Sequence, residues 1–293
     1  MSHEILERLK AGELLLCDGA MGTMLIASGL KAGECPELWN RERPEAVQAI
    51  HRAYFEGGSD IVLTNTFGGT RVRLANFGLE EEVRDLNSRA VGLAKEVAPS
   101  GKWVALSVGP TGEFLEPVGN LKFEEMKEIF SEQIGAALEA GADAVCIETM
   151  GDPEESRAAI EATRALADVP IFATMTFEHG KRGYHTLMGI DPLTAAERLL
   201  AAGAHVVGSN CGNGIDEMAE IMEEMMAGRG GLFLAQANAG KPEMEGDTPV
   251  YRQGPEEYAE KSKKLKALGV NIIGGCCGTT PEHIKRMAAV LKG

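Results

Sequence analysis

Aromatic side chains are scarce in this sequence: 9 Phe, 4 Tyr and 2 Trp among 293 residues. A core built without them has to be aliphatic, and a hydrophobic content of 44 % supplies the material. Such a core suits parallel strands covered on both faces by helices. Basic residues are also short, 29 Lys and Arg against 44 Asp and Glu, which leaves a net charge of −15. An acidic surface repels a phosphate backbone and argues against a nucleic-acid partner. No apolar run approaches the ~20 residues needed to span a bilayer, and the polar Met-Ser-His-Glu start is not a signal peptide. The expectation is a cytoplasmic protein with no membrane partner. Linkers and low-complexity segments are missing too, with 228–231 only a short glycine-rich loop, so one domain over residues 1–293 is expected. Six cysteines (17, 35, 146, 211, 276, 277) do not make a disulfide framework in a chain of this size.

What is present is a recurring strand–helix unit. Apolar runs at 14–18, 61–65, 103–108, 144–148, 171–176, 205–209, 232–237 and 270–274 read as strands. Between them, apolar residues recur at helical spacing over 44–56, 123–140, 153–167, 192–202, 216–226 and 255–268. Pro44, Pro153, Pro192 and Pro255 stand at helix starts, where a missing N–H costs nothing. Glycines at 57–58, 141, 203 and 269 follow helix ends, as C-terminal caps do. Eight such units in 293 residues predict a closed (β/α)8 TIM barrel. The alternative is an open doubly wound sheet, but Asp18-Gly19-Ala20-Met21-Gly22-Thr23 does not fit the dinucleotide fingerprint expected after its first strand.

In a barrel the chemistry sits on the loops that follow the strands. Two of those loops carry sulfur. Cys276 and Cys277 stand side by side after 270–274, and Cys211 ends the run at 205–210. Adjacent thiols could be a strained disulfide, inert core residues or soft metal ligands. Cys211 at an equivalent strand end favours the last reading, because strands six and eight of a barrel have one strand between them. Cys17, Cys35 and Cys146 are read as small buried hydrophobes. Three thiolates leave one position of a tetrahedral zinc open, as in catalytic rather than structural sites. A sulfur-rich centre is a poor generator of hydroxide, yet it can ionise a bound thiol and leave it nucleophilic. Alkyl transfer to sulfur suits that electronic character.

The sequence resembles a known family at these positions. Gly274-Gly275-Cys276-Cys277-Gly278-Thr279-Thr280-Pro281, Asn210-Cys211 and Asp18-Gly19-Ala20-Met21-Gly22-Thr23 look like the zinc-dependent homocysteine S-methyltransferases. Thr64-Asn65-Thr66-Phe67, Glu148-Thr149 and Asn238-Ala239-Gly240-Lys241-Pro242 match in order. The likeness is nearest to the homocysteine-binding module of cobalamin-dependent methionine synthase. It implies a TIM barrel with zinc on Cys211, Cys276 and Cys277. It further implies that Asp18, Gly19 and Ala20 of the first turn, with Glu148 and Thr149, hold the amino-acid end of homocysteine. The implied reaction is methyl transfer to homocysteine to give methionine, with a methylated corrinoid protein, the carrier of methylcobalamin, as donor. A small onium donor such as betaine or S-methylmethionine is the alternative, disfavoured here because no aromatic cluster is read at a strand end. A corrinoid-linked demethylase and a purely structural zinc barrel are further alternatives. The segment 181–189 departs from the family pattern, and Tyr184 and His185 are read either as lining the mouth or as plain loop.

Overall fold

The computed structural model describes residues 2–228, 230–245 and 248–293; Arg229, within the glycine-rich loop read from sequence, lies outside them. In chain order the first strands are β1 (Leu15–Leu16), β2 (Ile61–Leu63), β3 (Trp103–Val108), β4 (Ala144–Met150), β5 (Ile171–Met175) and the short β6 (Glu178–Gly180) and β7 (Gly183–His185). They are followed by β8 (Val206–Asn210), β9 (Leu232–Ala237), β10 (Glu243–Glu245), β11 (Thr248–Val250) and β12 (Ile272–Gly275). The helices begin with α1 (Ser2–Lys10), α2 (Met21–Ala27), α3 (Trp39–Glu42), α4 (Pro44–Glu56), α5 (Arg71–Ala75) and α6 (Val83–Val97). Next come α7 (Phe123–Glu139), α8 (Pro153–Leu166), α9 (Pro192–Ala202), α10 (Ile215–Met226), α11 (Pro255–Leu268) and α12 (Pro281–Lys292).

Eight strands form one parallel sheet in the order β1-β12-β9-β8-β5-β4-β3-β2. The two ends of that order meet. Cys17 and Ile61 form a parallel bridge, with Asp18 N–H donating to Ile61 O at 3.0 Å and Asp60 N–H to Leu16 O at 2.7 Å. The sheet therefore closes into the (β/α)8 barrel that the eight apolar runs predict.

Alternation along the strands divides the core. Leu15, Cys17, Ile61, Leu63, Trp103, Ala105, Cys146, Phe172 and Leu234 face the barrel axis, and Ile5, Leu6 and Leu9 of α1 plug its lower end. The neighbouring positions face the helices, as Leu16, Val62, Val104, Val145 and Val207 do. Cys17 and Cys146 are thus axial packing residues, and burial pushes both thiols well up. Helix boundaries follow local chemistry. Asp152 and Asp191 cap α8 and α9 by accepting from Glu154 N–H and Thr194 N–H, each with proline in the first turn. Gly203 and Gly269 close α9 and α11 in left-handed conformations at φ 108° and 90°.

Helices α1, α2, α3, α5, α6 and α12 and two hairpins escape the sequence reading. Helix α6 has the right spacing, burying Val83, Leu86, Ala90, Val91 and Ala94, but it lacks a proline start and ends at Ala98 instead of glycine. The hairpins β6–β7 and β10–β11 grow from the loops after β5 and β9 as antiparallel pairs, and β6 and β10 are exposed along their length.

Candidate metal and thiol site

The sulfurs stand at the upper ends of β8 and β12, which flank β9. Cys211 leaves β8 in a left-handed conformation, φ 61°. Its N–H donates to Gln236 O at 3.0 Å and its carbonyl accepts from Asn213 N–H at 2.7 Å, so the strained geometry is held on both sides. Cys276 and Cys277 lie beyond the last residue of β12, in a turn. Cys276 N–H donates to Ala237 O, Ala239 N–H to Cys277 O, and Thr279 N–H and Oγ1 close back on Cys276 O at 3.0 and 2.7 Å. Residues that followed one another along a strand would point to opposite faces; the turn removes that restriction and lets both sulfurs face one point.

The three Sγ atoms lie within 4.8 Å of one another, and Cys211 Sγ is 3.8 Å from Cys277 Sγ. Thiolates about 2.3 Å from a tetrahedral zinc sit ~3.8 Å apart, so this pair already has the edge length of such a centre. The donor set, three soft sulfurs that remain partly accessible, fits zinc. Contacts with Cys211 and then Cys276 hold the Cys277 thiol below its usual range, while contacts with Cys211 and then Cys277 push Cys276 well up.

The sulfurs form one wall of a cavity of about 330 Å³ at the barrel mouth. Gly19, Ala20, Glu148 and Thr149 line it as well. Glu148 is 8 % exposed and accepts from Ser107 Oγ; burial pushes its carboxyl up to about 7. Asn210, the residue before Cys211, is the hub. Its Oδ1 accepts from Thr149 N–H and Thr174 Oγ1, each at 2.7 Å, and its Nδ2 donates to Thr149 Oγ1 at 2.7 Å and Glu148 Oε2 at 3.3 Å. The same Nδ2 lies 3.9 Å from Cys276 Sγ. Thr149 is held at φ 62° by these bonds. One buried amide therefore ties the acidic wall to the sulfur wall.

Asn65 also lines the cavity, and the other residues singled out in the sequence have partners of their own. Asp18 is buried behind the cavity wall, its Oδ2 accepting Leu63 N–H at 2.8 Å, and burial pushes its carboxyl well up. Ala20 N–H already donates to Thr279 Oγ1 at 3.1 Å. Asn65 shapes its loop, donating to Pro36 O and Asn40 Oδ1. Tyr184 is buried, donates to Glu220 Oε2 at 2.7 Å and meets His179 edge-on, while His185 bonds Gly183 O; neither lines the cavity. The reading that no aromatics gather at a strand end is corrected. Phe67, in the loop that follows β2, and Phe77, just beyond α5, both line the cavity. Sequence reasoning also passed over Tyr251, whose ring packs against Gly278, the residue after the cysteine pair. Nothing in its local pattern separates it from an ordinary loop tyrosine.

A family model described as homocysteine S-methyltransferase matches residues 15–291. A methionine synthase of Mycobacterium leprae (strain TN) is 33 % identical over 306 residues, covering 98 % of this chain and 25 % of the relative. One of Mycobacterium tuberculosis (strain ATCC 25618 / H37Rv) is 34 % identical over 299 residues, covering 95 % and 24 %. The chain spans about a quarter of the length of these curated relatives. Among solved structures, the metallated form of the homocysteine methyltransferase MmuM from Escherichia coli superposes with a TM-score of 0.80 at 24 % identity, covering 97 % of this chain and 98 % of that one. Its apo form gives 0.75 at 23 %, covering 95 % and 96 %. This likeness carries the fold.

Proposed function

This chain belongs to the homocysteine S-methyltransferase family, and we propose that it is a zinc-dependent enzyme that moves a methyl group to homocysteine, giving methionine. The observation that carries this reading is the three-sulfur cluster opening onto one wall of a closed-barrel cavity. Cys211, Cys276 and Cys277 would hold the ion, and zinc bound there lowers the pKa of an incoming thiol while leaving its sulfur nucleophilic. Glu148, bridged to the cluster by Asn210, receives the substrate ammonium; its burial makes it an electrostatic partner for a cation instead of a solvated acid. Thr149 fixes the rim beside it. The backbone of Gly19 and Ala20 borders the substrate carboxylate, and Asp18 supports that turn from behind through Leu63 N–H. Leu63, Phe67 and Phe77 keep water from the reacting sulfur. The thiolate sulfur forms its bond to the methyl carbon as the bond from methyl to donor breaks, and the donor keeps the bonding pair.

The donor we favour is a methylated corrinoid carried by a protein partner, in line with the resemblance to the homocysteine-binding module of cobalamin-dependent methionine synthase. Phe67 and Phe77 on the wall, with Glu37 buried among the lining residues, support a second reading, a small onium donor held by aromatic faces and a carboxylate. The test is to supply zinc-loaded protein with homocysteine and, separately, methylcobalamin, betaine or S-methylmethionine, and to measure methionine. Methionine from methylcobalamin alone supports the first donor, and from an onium alone the second. No methionine from any of them, with zinc bound, overturns the reading.

A further inference from the structure

Gln236 stands one residue before the end of β9, in register with Asn210 on β8 and Gly274 on β12. Leu234, two residues below it, faces the barrel axis, so Gln236 does too, one layer higher, where it lines the cavity with Glu148 and Ser107. It is 2 % exposed. A Cβ on Gly274 would come within 3.1 Å of Gln236 Cγ and 2.8 Å of Cys17 Cβ, so glycine there admits the stem of the glutamine. Cys17 orients the amide. Its thiol donates to Asp18 Oδ1 at 3.4 Å, which leaves the sulfur as an acceptor, and Gln236 Nε2 faces it at 3.7 Å. The carbonyl oxygen Oε1 has no partner among the described residues. No other buried side-chain atom in that condition, among the described residues, belongs to a residue lining the cavity. A buried carbonyl left without a donor is destabilising; at the wall of a cavity, a ligand N–H can supply one.

We propose that Gln236 is a specificity-determining residue for the amino-acid end of the substrate: its Oε1 accepts an N–H from the ammonium whose charge Glu148 neutralises. The inference rests on the homocysteine reading of the cavity. An ammonium carries three N–H donors. Glu148 already accepts from Ser107 Oγ on one oxygen and Asn210 Nδ2 on the other, and a single carboxylate cannot meet three diverging donors. Among the other lining residues, Thr149 Oγ1 is engaged by Asn210 Nδ2, and Thr64 Oγ1 by Thr66 Oγ1 and Ser107 N–H. Gln236 Oε1 is the acceptor left over. The carboxylate answers the charge of the ammonium and the amide fixes its direction. A thiol without that group makes neither contact and leaves the carbonyl buried and unmet.

The probes are two thiols, homocysteine and 4-mercaptobutanoate, which differ by the α-ammonium alone. Titration calorimetry on zinc-loaded protein gives both affinities for wild type, Gln236→Met and Gln236→Glu. Methionine is close to glutamine in length and has no carbonyl, whereas glutamate keeps an acceptor oxygen. Gln236→Met should bind homocysteine roughly tenfold more weakly, the worth of one hydrogen bond to a charged group, and bind 4-mercaptobutanoate as wild type does. Gln236→Glu should keep the preference for homocysteine. Zinc content should stay at one equivalent in both, because it is the backbone carbonyl of Gln236 that accepts from Cys211 N–H. Gln236→Leu makes the same comparison should the methionine variant not fold. Equal weakening of both thiols in the methionine variant, or unchanged affinity for homocysteine, overturns the role of Gln236 while leaving the thiol site standing. Loss of the preference in the glutamate variant overturns it as well. Zinc-loaded wild type that binds neither thiol overturns the homocysteine reading itself.

Discussion

Cys276 and Cys277 are adjacent, and each has a separate bond holding its backbone: Cys276 N–H to Ala237 O and Cys277 O to Ala239 N–H. Because the turn and not the thiol sets the local geometry, Cys276→Ala or Cys277→Ala should retain the barrel yet lower bound zinc from one equivalent toward none, measured by elemental analysis of the folded protein. Normal metal content in both would remove them as ligands. Asn210 answers a different question. Asn210→Ala breaks four bonds to Glu148, Thr149 and Thr174 and removes the 3.9 Å approach of its Nδ2 to Cys276 Sγ, while all three sulfur ligands stay in place. It should keep zinc and weaken homocysteine binding by about tenfold, the worth of one charge-assisted bond of ~1.4 kcal/mol; titration calorimetry with unchanged affinity would refute it. These two kinds of residue differ in legibility. Paired cysteines at a strand end advertise themselves. Asn210 does not, because an asparagine after a strand has an ordinary use in turns, and its role exists only once β4, β5 and β8 lie side by side. Phe67 and Phe77 were hidden for the same reason, since only the folded chain brings both to the cavity.

His51, also a single residue, gives a prediction for pH. It is fully buried on α4, and neither ring nitrogen has a partner among the described residues. Burial pushes it down to about 4 from 6.5. The folded value lies below the unfolded one, so the neutral ring favours folding: its contribution is complete above pH 6.5 and is lost as pH falls toward 4. Integrated over that window the loss is about 3 kcal/mol. His51→Leu should therefore lose less stability than wild type between pH 7 and pH 4.5 in urea titrations. Parallel losses in the two proteins would show that other groups carry the acid sensitivity.

At the scale of elements, β1 and β2 form the seam of the barrel, and Asp60 holds it. Its carboxylate, 4 % exposed as a side chain, accepts Leu16 N–H at 2.7 Å and pairs with Lys102 and with Lys292 of α12. Asp60→Ala leaves two half-buried ammonium groups and a backbone donor without this partner. We expect a loss of about 3 kcal/mol, measured by denaturant unfolding, with zinc stoichiometry unchanged because the site is at the opposite rim. A loss under 1 kcal/mol would show the seam to be held by its backbone bonds alone. The eight strands of the barrel were legible because buried parallel strands are continuous apolar runs, punctuated by helix-starting proline and helix-ending glycine. Helix α6 lacks both marks. The hairpin β10–β11 lacks a buried apolar run altogether at β10, so nothing in Glu243-Met244-Glu245 declares a strand.

For the whole molecule, the cluster joins β8 to β12 across β9, and an ion held there adds to the stability of the closed barrel only. At free zinc a thousandfold above its dissociation constant the gain is about 4 kcal/mol. For a chain of this size that is a rise in Tm of roughly 10 °C. Calorimetry with and without a chelator should show it for wild type and not for Cys277→Ala. Equal melting temperatures with and without chelator in wild type would mean that the ion does not link these strands.

The positions of the three sulfurs along the polypeptide carry one more consequence. Two belong to residues 276 and 277, within the last barrel unit, whereas the third, at 211, is translated 65 residues earlier than the first of that pair. A ribosome delivering this segment exposes a lone thiol long before it exposes a complete chelating set. For the proposed zinc site, loading in the cell would thus be a late event of biogenesis, after nearly every strand has emerged, and until then Cys211 would be open to oxidation or to capture by the wrong ion.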